Sequence, residues 1–376
     1  MNKRAFLKNA AIAASGALLA PQFFSCSALK AFHSKSKNWV WAHPHINWSS
    51  DEWKKKLSLV KDAGIDAILV EVYNGTNTFY EGGQLPMKAN VIETLIPLCQ
   101  SIGIELHAWM WTMPCNAPDI VSKHPDWYAY NGLGQPAHTH PAYVPYYKFL
   151  CPCHPEVKEF IKGNVTSLAK IPEIAGVHLD YVRLPDVIIA KGFWAKYNIV
   201  QDKEYPEYDY SYSPECRRQY KDKYGIDPLV DIKEPATHKE WVQFRRDSVT
   251  HLVNDILVPE AKKYNKQITA AVFPNWENVR QEWHRWDLDG FLPMLYHNFY
   301  NRDLDFIQEH TIKANQRLEN KKPVYSGLFI PSIKAEHITD AIDQAKKGNS
   351  AGVSLFDLAS ITDAHWVKLK SILSNI

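Results

Sequence analysis

The chain has 376 residues, with 43 Lys and Arg against 41 Asp and Glu, for a formal charge of +2. Hydrophobic residues make up 45%, which excludes a disordered chain, and the balanced charge leaves no basic excess for a nucleic-acid binder working through bulk electrostatics. The 13 Trp are far above ordinary usage and belong either in a core or on a flat surface offered to a ligand.

The first 26 residues carry a basic start, Lys3, Arg4 and Lys8, followed by an apolar run from Ala10 to Phe24. That run is too short and too rich in Ala to span a bilayer, and charge followed by small apolar residues predicts an export signal. Phe23-Phe24-Ser25-Cys26 resembles a bacterial lipoprotein box, which makes Cys26 the lipidated residue. The stretch from Lys3 to Lys8 is similar to a twin-arginine signal with its first Arg replaced by Lys. The expected address is the periplasm or cell surface of a bacterium, with a lipid anchor in the membrane. A polar linker over 27–37 separates this segment from a domain over 38–376.

In that domain, strand-like apolar runs alternate with amphipathic helical runs. Strands are predicted over 39–43, 65–74, 104–111, 175–182, 268–273, 290–296, 323–329 and 352–357. Helices are predicted over 51–63 (capped by Ser50), 91–102, 156–169, 214–224, 239–264, 304–318, 335–347 and 364–373. Eight strand–helix pairs imply a parallel sheet closed into a (β/α)8 TIM barrel. The rival, an open doubly wound sheet, needs a Gly-rich turn after its first strand, and His43-Pro44-His45-Ile46-Asn47-Trp48 has no glycine. Long segments follow the third and fourth strands, the latter an insertion over about 184–237, whereas the turns leading into the strands are short. The long loops therefore gather at the C-terminal ends of the strands, where barrel sites lie. Cys99, Cys115, Cys151, Cys153 and Cys216 match no zinc spacing and read as packing or free thiols, with room for one disulfide.

Side chains alternate along a strand, so Ala67, Leu69, Glu71 and Tyr73 should face the barrel interior, with Asn74 at the strand's end. By the same rule His107, Trp109 and Trp111 face inward from the third strand, and His178 and Asp180 from the fourth. A carboxylate inside a barrel is costly unless paired, hydrogen-bonded or used, which makes Asp180 the strongest single candidate, with Arg183 its nearest cation.

His178-Leu179-Asp180-Tyr181-Val182-Arg183-Leu184-Pro185 resembles the fourth-strand signature of the glycosyl-hydrolase-like family ten proteins, (β/α)8 barrels related to α-amylase and α-galactosidase type glycosidases. Ala63–Ile68, His124–Trp127 with Cys153–Val157, and Phe291–Tyr296 fit in order, so the resemblance covers roughly residues 38–370. It implies that Asp180 is the nucleophile. The usual fifth-strand acid has no clear counterpart, because Ala271–Glu277 offers only Glu277, three residues late.

Glycoside hydrolysis generally needs two carboxyl groups flanking the scissile bond. Glu71 and Glu277 are equal candidates for the proton donor, followed by Asp357. Trp41, Tyr73, Trp109, Trp111, Tyr181, Trp276, Tyr296 and Phe356 lie at or near strand ends and suit the apolar faces of sugar rings, and Tyr128, Tyr130, Tyr143, Tyr146 and Tyr147 could extend the platform. His43, His107, His178, His297, Asn74 and Arg183 are expected sugar partners. The reading is an oligo- or polysaccharide hydrolase without a cofactor. Two alternatives stay open. One is a metal-assisted hydrolase or lyase of a modified sugar or amide, with a divalent metal on His43, His45, His297 and Asp357. The other is a non-catalytic glycan-binding lipoprotein.

Overall fold

The computed structural model describes residues 36–373; the expected signal segment and Cys26 lie outside the described residues. Eight parallel strands, β1 (Trp39–Ala42), β2 (Ala67–Tyr73), β3 (Glu105–Trp111), β4 (Gly176–Asp180), β5 (Gln267–Val272), β6 (Gly290–Pro293), β7 (Ser326–Phe329) and β8 (Val353–Phe356), form one sheet. Its order runs β6-β5-β4-β3-β2-β1-β8-β7. Isolated parallel bridges, Phe291 with Val324 and Met294 with Gly327, join β6 to β7 and close the ring. The fold is therefore the expected (β/α)8 barrel.

Local chemistry sets the helix ends. Ser49, one residue before the expected Ser50, caps the helix Ser50–Asp62: its hydroxyl accepts from the Glu52 N–H, and the Glu52 carboxylate accepts from the Ser49 N–H. Trp53, Leu57 and Val60 on that helix bury against the sheet. The single helix expected over 239–264 is present as a continuous run, Lys239–His251 and Val258–Lys263 with a π turn over Leu252–Leu257 between them. Pro259 accounts for the π turn, since it has no N–H to give and its ring crowds the preceding turn.

Two apolar layers result. Val40, Ile68, Val70, Leu106, Val177 and Leu179 face the helices, and Trp39, Trp41, Ala67, Leu69, Trp109, Ala271 and Leu292 fill the barrel. Inside, both ring nitrogens of His178 are satisfied. The His178 Nε2 accepts from the Trp41 indole at 3.2 Å, and its Nδ1 meets the Thr269 hydroxyl at 2.9 Å. Gly176 leaves room for this filling, because a Cβ there would sit 2.5 Å from the Gln267 carbonyl oxygen and 2.8 Å from His107 Nδ1.

One predicted facing is corrected. The register between β2 and β3 slips between Glu71 and Tyr73, with Glu71 opposite Trp109 but Tyr73 opposite Met110. This bulge turns Tyr73 out of the barrel, and it packs with Val70, Val72 and Tyr80 under the helices.

The insertion after β4 is tied down by the helix Pro214–Tyr224 and a Cys153–Cys216 disulfide. Cys99, Cys115 and Cys151 are free and buried. No helix among the described residues is long and apolar enough to cross a membrane.

Candidate active site

Above the interior layers the strand ends surround a cavity of about 490 Å³. Asp180, the last residue of β4, sits on its wall. The Trp109 indole N–H donates to Asp180 Oδ2 at 3.1 Å, and the Tyr181 backbone N–H donates to Oδ1 at 2.7 Å. Tyr181 lies in the left-handed region at φ 50°, which turns the chain sharply after the carboxylate. Burial pushes the Asp180 carboxyl up to about 6, although the Tyr181 amide, Arg183 and Trp109 favour its charged form. The expected inward, strand-end placement of Asp180 is what the structure has.

His43 follows β1 and reaches the same cavity, its side chain 41% exposed. Its Nδ1 lies 3.3 Å from Glu71 Oε2, and its Nε2 lies 4.0 Å from Asp357 Oδ2. The ring rests between Trp109 at 5.4 Å and Phe356 at 6.0 Å. The Glu71 contact raises the imidazole pKa; burial opposes this, and Asp357 and Asp180 reinforce it. Asp357 also accepts from the backbone N–H and the hydroxyl of Ser360, which fixes the turn after β8.

Arg183 is buried and already paired. It donates to Asp186 at 3.0 Å and to the Leu184 carbonyl oxygen at 2.9 Å. Its guanidinium is caged by Phe273, Tyr181, Phe149 and Tyr147, with ring centroids 4.7 to 5.7 Å away. Arg183, the cation nearest Asp180 in the sequence, is thus ion-paired with Asp186, three residues on.

Of the expected aromatic platform, Trp41, Trp109, Trp111, Tyr181, Tyr296 and Phe356 line the cavity, as do Tyr146 and Tyr147. Trp276 does not: it packs against Arg246 at 4.7 Å and His284 at 5.1 Å. Glu277 is half exposed and lies 3.8 Å from Arg317 on the outer helix, away from the cavity lining. His107 lies deep in the barrel, its Nε2 3.2 Å from Glu105 and its ring against Trp39. His178 lies one layer below Asp180, held as described, and burial pushes its pKa well below the usual range. Neither reaches the cavity lining. Asn74 closes its own turn, accepting from the Thr76 and Asn77 N–H groups.

The four groups of the metal alternative are not gathered. His45 stacks on Trp48 at 3.9 Å, and His297 sits in the turn His297–Tyr300 outside the cavity lining. Among the described residues, ligand atoms from three His, Cys, Asp or Glu residues come together only at Cys151, Cys153 and Cys216. Two of those sulfurs form the disulfide.

Sequence reasoning missed the far wall. Asp186, Ile189, Phe193, Lys196 and Tyr197 descend from the insertion, and Phe299, Tyr300 and Phe329 come from the ends of β6 and β7. A signal existed, because Phe193, Trp194 and Tyr197 cluster in a loop that must leave from the top of β4.

The architecture is that of a (β/α)8 barrel. It is similar to the glycoside hydrolase domain of PgaB (BpsB) from Bordetella bronchiseptica, with a TM-score of 0.68 at 15% identity, over 90% of this chain and 98% of that one. It is also similar to the catalytic domain of the beta-amylase from Paenibacillus polymyxa (TM-score 0.65, 12% identity, 91% of this chain and 99% of that one). The beta-galactosidase of Marinomonas ef1 matches with a TM-score of 0.65 at 12% identity, over 90% of this chain and 59% of that one. At such identities the likeness is one of fold. No family model matches the chain and no curated protein matches it in sequence, so the likeness to glycosyl-hydrolase-like family ten rests on the short motifs alone.

Proposed function

We propose that this protein is a carbohydrate-active glycoside hydrolase, exported and lipid-anchored through Cys26, and a relative of glycosyl-hydrolase-like family ten. Asp180 is its nucleophile or charge stabiliser. The observation that carries the reading is a carboxylate with no salt-bridge partner among the described residues, on the wall of an aromatic-lined cavity, at the end of the barrel where the long loops gather. Sugar rings stack their C–H faces on Trp41, Trp109, Trp111 and Tyr296, while Asp180 faces the anomeric carbon. The two hydrogen bonds to Asp180 come from groups fixed by β3 and by the backbone, so the carboxylate is held before substrate arrives.

The test is hydrolysis of a broad oligosaccharide panel by the wild type and by Asp180→Asn. Turnover by the wild type, falling by at least about 10³-fold in the variant, supports the assignment. Undiminished activity in the variant sinks it.

The position of Glu277 against Arg317 favours, as a second reading, a glycan-binding lipoprotein, since one of the two expected proton donors is outside the cavity. Saturable binding without turnover on the same panel would select it.

A further inference from the structure

Resting on the hydrolase reading above, we propose that His43 is the proton donor to the leaving glycosidic oxygen, with Glu71 as the residue that positions it. The lining of the cavity decides this. Its carboxyl and imidazole groups are Asp180, Asp186 and His43. Asp186 is occupied by Arg183, which leaves His43 and Asp180 as the acid–base pair. Glu71, one of the two carboxyls expected for the role, has a side chain only 6% exposed and lines not this cavity but a separate pocket that His43, His45 and Asn74 share. Its Oε2 is buried, makes no geometrically formed hydrogen bond among the described residues, and has His43 Nδ1 as an ion-pair neighbour at 3.3 Å. A buried carboxylate oxygen in that position needs a proton-bearing neighbour. The contact therefore favours a proton on Nδ1, which leaves Nε2 as the ring's other nitrogen. At 4.0 Å, Asp357 Oδ2 is too far to take up the Nε2 N–H as a hydrogen bond.

The charged and titratable groups acting on His43 are Glu71 from β2, Asp180 from β4, Asp357 from the end of β8 and His45 from its own loop, and Lys88, Arg183, Asp186 and Lys196 line the pockets that His43 also lines. Three carboxylates against one imidazole favour the imidazolium. The Glu71 contact raises the proton affinity of His43, and Asp180 ionises above about 6, the division of roles that general acid catalysis requires. In the first step the Nε2 proton passes to the glycosidic oxygen. The C1–O bond breaks with its electron pair going to that oxygen, and a carboxylate oxygen of Asp180 bonds to C1. In the second step water attacks C1, its proton returns to Nε2, and the Asp180 ester opens to the carboxylate. The sum is hydrolysis, with the protein unchanged.

A proton donor matters in proportion to the basicity of the leaving group, and this gives the test. Wild type, His43→Gln and Glu71→Gln, each as the full chain, are assayed on paired phenyl and dinitrophenyl glycosides of the common hexoses. His43→Gln should lose about 10²- to 10⁴-fold in kcat/KM on the phenyl glycoside and less than about 10-fold on the dinitrophenyl one. The alkaline limb of its pH profile should disappear. Glu71→Gln, which keeps the ring but removes the carboxylate, should shift that limb to lower pH. Equal losses by His43→Gln on both glycosides, or an alkaline limb that Glu71→Gln leaves in place, would overturn the assignment. Failure of the hydrolase reading looks different: the wild type itself then cleaves neither glycoside, which removes this inference with it.

Discussion

Asp180→Asn should make the protein more stable above neutral pH, by an amount that disappears on acidification. The folded carboxyl is raised from 3.8 to about 6, chiefly by burial. Two units correspond to about 3 kcal/mol held against the ionised form in the folded state. Asparagine keeps the shape and can accept the Trp109 indole N–H at its amide oxygen, but its amide nitrogen cannot accept the Tyr181 N–H, a loss of about 1 kcal/mol. The expected net gain at about pH 8 is roughly 1–2 kcal/mol. The sign of the pH dependence follows from proton binding. Between 3.8 and about 6 the folded wild type holds a proton that the unfolded chain releases, so its stability falls as pH rises through that window. The variant has no such slope. Urea unfolding of both proteins, followed by Trp fluorescence at about pH 5 and about pH 8, measures the difference. An asparagine variant less stable than wild type at the higher pH, or a difference unchanged between the two, would refute the claim that Asp180 is held ionised at a cost to the fold. Active sites commonly trade stability for reactivity in this way.

Three other outcomes can be checked. Trp109→Phe removes an N–H that stabilises the Asp180 carboxylate, so the acid limb of kcat/KM should move above about 6. Arg183→Met leaves buried Asp186 without its cation and should cost about 3–5 kcal/mol in thermal or urea unfolding, much of which the double change with Asp186→Asn should restore. Alkylation of the denatured, unreduced protein should label Cys99, Cys115 and Cys151 but not Cys153 or Cys216, and reduction should lower stability by up to about 4 kcal/mol for a closed loop of 63 residues.

The barrel was legible because its signals are local and periodic. Alternation along β3 and β4 put His107, Trp109, Trp111, His178 and Asp180 on the interior face, where they are found. What alternation could not show is depth. His107 and His178 share a face with Asp180 but sit in lower layers, each already satisfied by a neighbour or closed off by an indole. Nor could a period-two pattern anticipate the bulge that turns Tyr73 outward, since the slip is fixed by pairing with β3 and not by the sequence of β2. Glu277 was misleading for a related reason. The segment after β5 coils at once into the short helix Trp276–Val279, and its side chains turn toward Arg246 and Arg317 on the outer helices. The Arg183–Asp186 pair lay three residues apart and could have been read as a local bridge, but the aromatic cage around it is assembled from three separate segments.

The charge at the barrel mouth can be traced to the order of these layers. The floor is made of indoles and of two buried histidines, His107 and His178, whose pKa burial lowers, which disfavours a cation beneath the site. The nearest guanidinium, Arg183, is held by Asp186. Glu71, Asp180 and Asp357 approach one rim from β2, β4 and β8 with His43 between them. The Glu71 contact raises the proton affinity of that imidazole, and Asp357 and Asp180 reinforce it. The imidazole shares the cavity with a carboxylate fixed by two hydrogen bonds, and bond cleavage by acid and nucleophile together requires this arrangement.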